Sequence, residues 1–152
     1  MSIRIQSEDF NLSDELTQLR KKCPSAGAIV SFLGTVRDMD GSGKQAIFAM
    51  ELEHYPEMTE KVLQKLEEEA RQRWDILEVL IIHRVGKLKA TDQIVLVIVC
   101  SKHRSAAFCA CEYLMDMLKV KAPFWKKEET ETGSHWVQAK ASDDQASSKW
   151  LI

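Results

Sequence analysis

The sequence predicts an α+β fold whose strands are mixed but largely antiparallel and end in a C-terminal hairpin. Three observations carry that expectation. Segments with the two-residue alternation of strands are interleaved with segments of helical spacing, in the order β-α-β-β-α-β-β-α-β-β. Neighbouring strand segments are joined by short connections that suit hairpins, which argues against a purely parallel sheet. The chain has 152 residues, 45% hydrophobic and 29% charged, which is the make-up of a single domain over residues 1–152 with one sizeable core.

Each element has its own signal. Ile3 to Gln6 alternate and predict a first strand. Ser13, followed by Asp14 and Glu15, reads as a helix cap with acids beside the positive end of the dipole. That helix is expected to reach Lys22 and stop before Pro24. Ala28 to Val36 is apolar and β-branched, a strand entered through Gly27. Asp38 to Lys44 has two glycines and little to bury, and predicts a mobile loop. Ala46 to His54 returns as a strand with Phe48, Met50 and Leu52 on one face.

Pro56 suits the first turn of a helix. Met58, Val62, Leu66, Ala70 and Trp74 then form an apolar stripe, with Glu67, Glu68, Arg71 and Arg73 on the other side. Leu77 to Val85 and Gln93 to Ser101 read as strands joined through Gly86, Lys87, Thr91 and Asp92. A long helix is expected from His103 to a break at Pro123. Phe124 to Thr130 and His135 to Lys140 form a hairpin across Gly133, and Asp143 to Ile152 add a last helical turn.

Composition excludes some functions. A formal net charge of −2 gives no global field toward nucleic acid or anionic membrane. The first residues lack the apolar core of a signal peptide, and no stretch nears the roughly 18 apolar residues of a membrane span. A cytoplasmic protein is expected, with Cys23, Cys100, Cys109 and Cys111 as reduced thiols. Cys109 and Cys111 resemble a metal pair on paper, but residues two apart on a helix diverge by about 200°. No histidine pair has ligand spacing, and neither a Ser-His-Asp signature nor a phosphate-binding glycine loop is present, so no metal is expected.

Basic residues are unevenly placed. Ser101-Lys102-His103-Arg104 puts cations at a helix start, where acids are preferred. A bound phosphate would accept the free N–H groups and pair with Arg104; a solvated basic turn fits the same residues. Lys119, Lys121, Lys126 and Lys127 surround Pro123. Lys119 near a helix C-terminus serves as a dipole partner or as part of a site. Lys126 and Lys127 face opposite ways on a strand, so only one turns inward. Clustered ammonium groups lower the pKa of the most buried member, which suits a nucleophile or proton carrier, although a solvated basic face also fits. Arg37 ends a strand and is placed to clamp an anion or to pair with Asp38 or Asp40. His83-Arg84-Val85-Gly86-Lys87 leads cations into a turn, and His54 precedes a helix; single histidines of this kind are more often structural.

Four of these stretches together resemble the large, catalytic subunit family of molybdopterin synthase. They are GAIVSFLGTVRD (Gly27 to Asp38), LEHYPEM (Leu52 to Met58), HRVGKL (His83 to Leu88) and SKHRSAAFCACEYLMDMLKVKAPFWKKE (Ser101 to Glu128). The resemblance implies an α/β hammerhead-like fold and a sulfurtransferase. Such enzymes convert cyclic pyranopterin monophosphate into molybdopterin, within molybdenum cofactor biosynthesis. Sulfur arrives as a thiocarboxylate on the C-terminal Gly-Gly of a small ubiquitin-like partner, with no redox cofactor. A homodimer within a heterotetramer is implied.

Carried onto this sequence, the resemblance makes Lys119 and Lys126 catalytic and gives Arg37, His103 and Arg104 to substrate binding. Lys140 stands where similar members carry an arginine that reaches the neighbouring protomer's pocket; lysine keeps the charge but loses the bidentate fork. Two other readings are distinguishable: a persulfide carrier on Cys100 or Cys109, and a non-catalytic adaptor that binds a ubiquitin-like protein.

Overall fold

In the computed structural model, which describes residues 2–137 and 141–151, eight strands form two four-stranded sheets with four helices. The first sheet contains β1 (Ser2–Gln6), β4 (Glu78–Arg84), β6 (Gln93–Ser101) and β2 (Ala28–Thr35), in the spatial order β1-β4-β6-β2. Only β1 and β4 are parallel; β4–β6 and β6–β2 are antiparallel. The second sheet runs β5-β3-β7-β8, from β3 (Ala49–His54), β5 (Gly86–Lys89), β7 (Phe124–Thr130) and β8 (Gly133–Val137), antiparallel throughout. The mixed, largely antiparallel α+β architecture is the predicted one.

Alternation along β4 and β6 explains how the first sheet sits. Val79 and Ile81, with Val95, Val97 and Val99, point into the main core, while Leu80, Ile82, Leu96, Ile98 and Cys100 point to the opposite face. Helix α1 (Leu12–Lys22) covers that second face through Leu12, Leu16 and Leu19. Helices α2 (Met58–Arg73) and α3 (Arg104–Lys121) supply the main core with Leu63, Leu66, Leu114 and Leu118. Each such side chain contributes about 1.5–3 kcal/mol when fully buried. Helix α4 (Ala141–Ser148) packs on α3, and Trp150 beyond it stacks edge-on against Trp74 and Tyr113 and donates to Asp116 at 2.7 Å.

Several local expectations are corrected. The cap of α1 is Asn11, whose Oδ1 accepts from Asp14 N–H at 3.0 Å; Ser13 lies inside the first turn because the chain already bends after buried Phe10. The buried stripe of α2 is Thr59, Leu63, Leu66, Glu67 and Ala70, rotated from the predicted one, and Met58 is exposed. Glu67 is tolerated inside because Arg71 reaches it at 3.0 Å and also bridges to Glu78. Phe48 stands before β3 and is exposed, whereas Met50 and Leu52 are buried as expected. The expected loop over residues 38–44 is present, and it closes on Asp40, whose N–H donates to the Gln45 carbonyl and whose carboxylate accepts from Ser42.

The strand β5 was not anticipated. At Gly86, φ of +90° is open to glycine and strained for other residues, and it swings the chain from the first sheet into the second. β8 begins at Gly133, so the hairpin turn is Glu131-Thr132. The end of the predicted strand, including Lys140, lies outside the described residues.

Candidate functional site

A cavity of about 490 Å³ opens where the C-terminal end of α3 meets the inner face of β7 and the end of β2. Three sequence-distant cations line it. Arg37 arrives just after β2, Lys119 from the last turn of α3, and Lys126 from β7. The helix ends there because Ala122 N–H still closes on Leu118 while Pro123 cannot continue the ladder. The chain then turns at once into β7.

Alternation on β7 decides which lysine enters. Phe124, Lys126 and Glu128 share the cavity face. Lys127 leaves the opposite face and lies 5.5 Å from the Trp136 ring centroid, opposite Glu51 in the β3 register. Phe32, Leu33, Met50 and Phe124 give the cavity apolar walls, and Glu128 and Asp143 bring carboxylates to its lining. A second depression, of about 740 Å³, lies over the Thr35–Gly43 loop and shares Arg37; it is a wide trough with no lysine or histidine.

His83 is the residue that sequence reasoning set aside. It is 4% exposed and lines the cavity. Its ring stacks on Phe124 with centroids 3.8 Å apart and planes 13° from parallel, and Nδ1 lies 2.8 Å from the Arg84 carbonyl. Burial above all, with the charges of Lys126 and Lys119 and nearby His54, pushes its pKa down to about 3. The ring is therefore neutral at physiological pH. The signal that finds it is the β4 alternation: Val79, Ile81 and His83 share the core-facing side. Glu128 follows from the same rule on β7. Arg84, its neighbour, is structural, donating to the Ser7 and Gln93 carbonyls.

His103 and Arg104 do not join this group. They occupy the opposite, exposed end of α3, fifteen residues and about 22 Å from Lys119. No side chain caps that end and no acid stands in its first turn. The approach to it is tight: a Cβ on Gly27 would sit 2.4 Å from the Lys102 carbonyl oxygen, so only glycine lets β2 begin there. Position 140 lies outside the described residues, so the six predicted site residues divide into three at the cavity, two at the far helix end and Lys140.

The cysteines stay apart from the cavity lining. All are free thiols, and burial pushes Cys100 and Cys111 up to about 11. Among the described residues no group of three His, Cys, Asp or Glu is arranged to hold a metal ion, and no helix is long and apolar enough to cross a membrane.

Residues 5–121 match the family model described as MoaE protein. The chain is similar to a molybdopterin synthase catalytic subunit of Ralstonia nicotianae, 55% identical over 152 residues that cover 99% of this chain and 85% of the relative. It is similar in structure to the molybdopterin biosynthesis MoaE protein from Burkholderia ambifaria, with a TM-score of 0.84, 50% identity and coverage of 99% and 98%. A crystal structure of molybdopterin synthase from Staphylococcus aureus aligns at a TM-score of 0.79 and 33% identity, covering 89% of this chain and 96% of that one.

Proposed function

This chain belongs to the MoaE protein family, and we propose from that premise that it moves sulfur from a thiocarboxylated partner to cyclic pyranopterin monophosphate. It is a sulfurtransferase of molybdenum cofactor biosynthesis, the catalytic subunit of a molybdopterin synthase that works with a small sulfur-carrier subunit. The observation that supports the finer reading is the convergence of Lys119, Lys126 and Arg37 on one cavity. Such a basic pocket attracts both an acyl-derived anion and a phosphorylated pterin.

The chemistry asks for what these groups supply. The thiocarboxylate sulfur bonds to a pterin side-chain carbon as a carbon–oxygen bond at that carbon breaks, its oxygen leaving as water or on the phosphate, and the carrier stays attached as a thioester. The acyl–sulfur bond then breaks, the sulfur stays on the pterin, and the carrier leaves as carboxylate after attack by water. Lys119 either takes the acyl group transiently or stabilises the tetrahedral oxyanion. Lys126 moves protons beside it. Phe32 and Phe124 offer faces on which a flat heterocycle stacks. A Gly-Gly tail suits the entrance because glycine lets backbone approach closely.

His103 and Arg104 are the phosphate-binding pair in this reading. Their distance from Lys119 exceeds what one small substrate spans within a chain. In the homodimer, the helix start of one copy completes the lysine cavity of the other. Edge strand β2 supports such docking: among the described residues it pairs only with β6, and it exposes Phe32 and Leu33. A persulfide on Cys100 is disfavoured by burial and by a thiol that stays protonated.

The test is reconstitution with precursor Z and a thiocarboxylated carrier, following dithiolene formation. Deleting the carrier's Gly-Gly is expected to abolish turnover while the bodies still dock. Turnover with the truncated carrier would remove the thiocarboxylate mechanism, and carrier binding without pterin binding would leave only an adaptor.

A further inference from the structure

We propose that His83 is a positioning residue of the lysine cavity, presenting Nε2 as a neutral hydrogen-bond acceptor to the amine of Lys126. This deepens the reading above and rests on it. The geometry comes first. A carbonyl only accepts, so the 2.8 Å contact with the Arg84 carbonyl places the proton on Nδ1. In a neutral ring that leaves a lone pair on Nε2 as the remaining polar atom. The ring cannot swing away, because it lies flat on Phe124 and its backbone is held between β1 and β6. Lys126 leaves the same face of β7 as Phe124, two residues or about 7 Å further along. His83 and Lys126 thus line the same cavity, close enough for the lysine charge to act on the imidazole.

Electrostatics explain why a histidine stands here. Arg37, Lys119, Lys126, Glu128, Asp143 and the nearby His54 are the charged or titratable groups facing it from the surrounding elements. Burial and the lysine charges keep the imidazole unprotonated well below neutral pH, so it stays an acceptor throughout the working range. A carboxylate in its place would form an ion pair and hold the proton on the lysine. A neutral acceptor orients the amine and leaves that proton removable.

Two measurements decide the matter. In the free, full-length protein, nitrogen-15 NMR should show an imidazole protonated only at Nδ1, whose Nε2 resonance moves in Lys126→Ala. A doubly protonated ring, or an Nε2 signal indifferent to Lys126→Ala, overturns the proposal whatever reaction the protein performs. In the reconstituted complex, His83→Phe keeps an aromatic ring for stacking but removes the acceptor. It should lower single-turnover sulfur transfer by about tenfold to a hundredfold, with pterin and carrier affinities unchanged. His83→Gln, which returns an acceptor near Nε2, should recover most of the rate. Wild-type turnover in His83→Phe, or equal loss in both folded variants, sinks the idea. If the wild-type complex makes no dithiolene, the sulfur-transfer reading fails and the NMR result alone judges His83.

Discussion

The two ends of α3 carry the same kind of charge in opposite settings. At the C-terminal end Lys119 stands where the dipole favours a cation, at a cavity shared with Lys126, Arg37 and buried His83. At the N-terminal end His103 and Arg104 stand where the dipole disfavours them, exposed and without a capping side chain. The first end is organised within one chain. The second is electrostatically incomplete and gains from an anion supplied from outside. In the proposed reading one helix would hold a chemical centre at its tail and a phosphate handle at its head, and a second copy would bring the two together.

The largest expected effect tests the tail. Lys119→Ala should lower single-turnover sulfur transfer by about 10²–10³-fold, the scale of a lost oxyanion donor, and Lys126→Ala by less. Carrier docking and the fold should survive in both. Normal transfer by Lys119→Ala would move the centre elsewhere. The head comes next. Arg104→Ala should weaken pterin binding by about 1.5–3 kcal/mol, the range of a charged hydrogen bond, without loss of thermal stability. Unchanged affinity in calorimetry would place the phosphate elsewhere. The comparison sharpens if the two impaired variants are co-expressed and assayed at low pterin concentration. A mixed dimer of Lys119→Ala with Arg104→Ala holds one intact composite site, so part of the activity should return. No recovery in a verified mixed dimer would mean that head and tail act within the same chain.

What was legible in the sequence follows the same division. Element order came through because β4 and β6 are continuous apolar runs of strand length and Pro123 ends α3 visibly. Strand alternation said that only one of Lys126 and Lys127 turns inward, and the family resemblance chose Lys126. The strand β5 was hidden because four residues after a glycine have too short a pattern to separate from a turn. The α2 stripe was misread because Glu67 is buried on an ion pair with Arg71, a tertiary fact that local polarity contradicts. His83 was discounted for the same reason in reverse. Its type suggested a solitary structural ring, whereas the cavity beside it appears only when β4, β7 and α3 are assembled. The separation of His103 and Arg104 from the lysines was arithmetic on helix length, yet family resemblance grouped them as one site.

A smaller effect probes the buried histidine through stability. His83 binds a proton near pH 6.5 when unfolded and near 3 when folded. Between those values the unfolded chain holds more protons, so stability falls as pH drops from about 6.5 toward 3. The slope from this one group is about 1.4 kcal/mol per pH unit. Urea unfolding of the wild type between pH 7 and 4.5 should be steeper in pH than that of His83→Gln by this amount. Carboxylates such as Asp9, held low by Gln93, contribute alike to both proteins and cancel. Parallel slopes would mean that the folded ring takes up a proton, and would remove the neutral acceptor from the cavity.

The smallest expected effect lies one residue from one of the largest. Lys127 differs from Lys126 in its strand face and almost nothing else. Its amine sits over Trp136 and opposite Glu51, so Lys127→Ala loses a cation–π contact worth about 0.5–1 kcal/mol at an exposed site. Thermal unfolding should shift slightly downward, while single-turnover sulfur transfer stays within about twofold of wild type, since a surface change away from the reacting groups leaves them in place. Trp136→Ala should cost similar stability, and combining the two should add little, because the second change removes a contact already lost. If Lys127→Ala were as slow as Lys126→Ala, β7 would present the other face to the cavity. His83, stacked on Phe124 of that same strand, would then lose its partner as well.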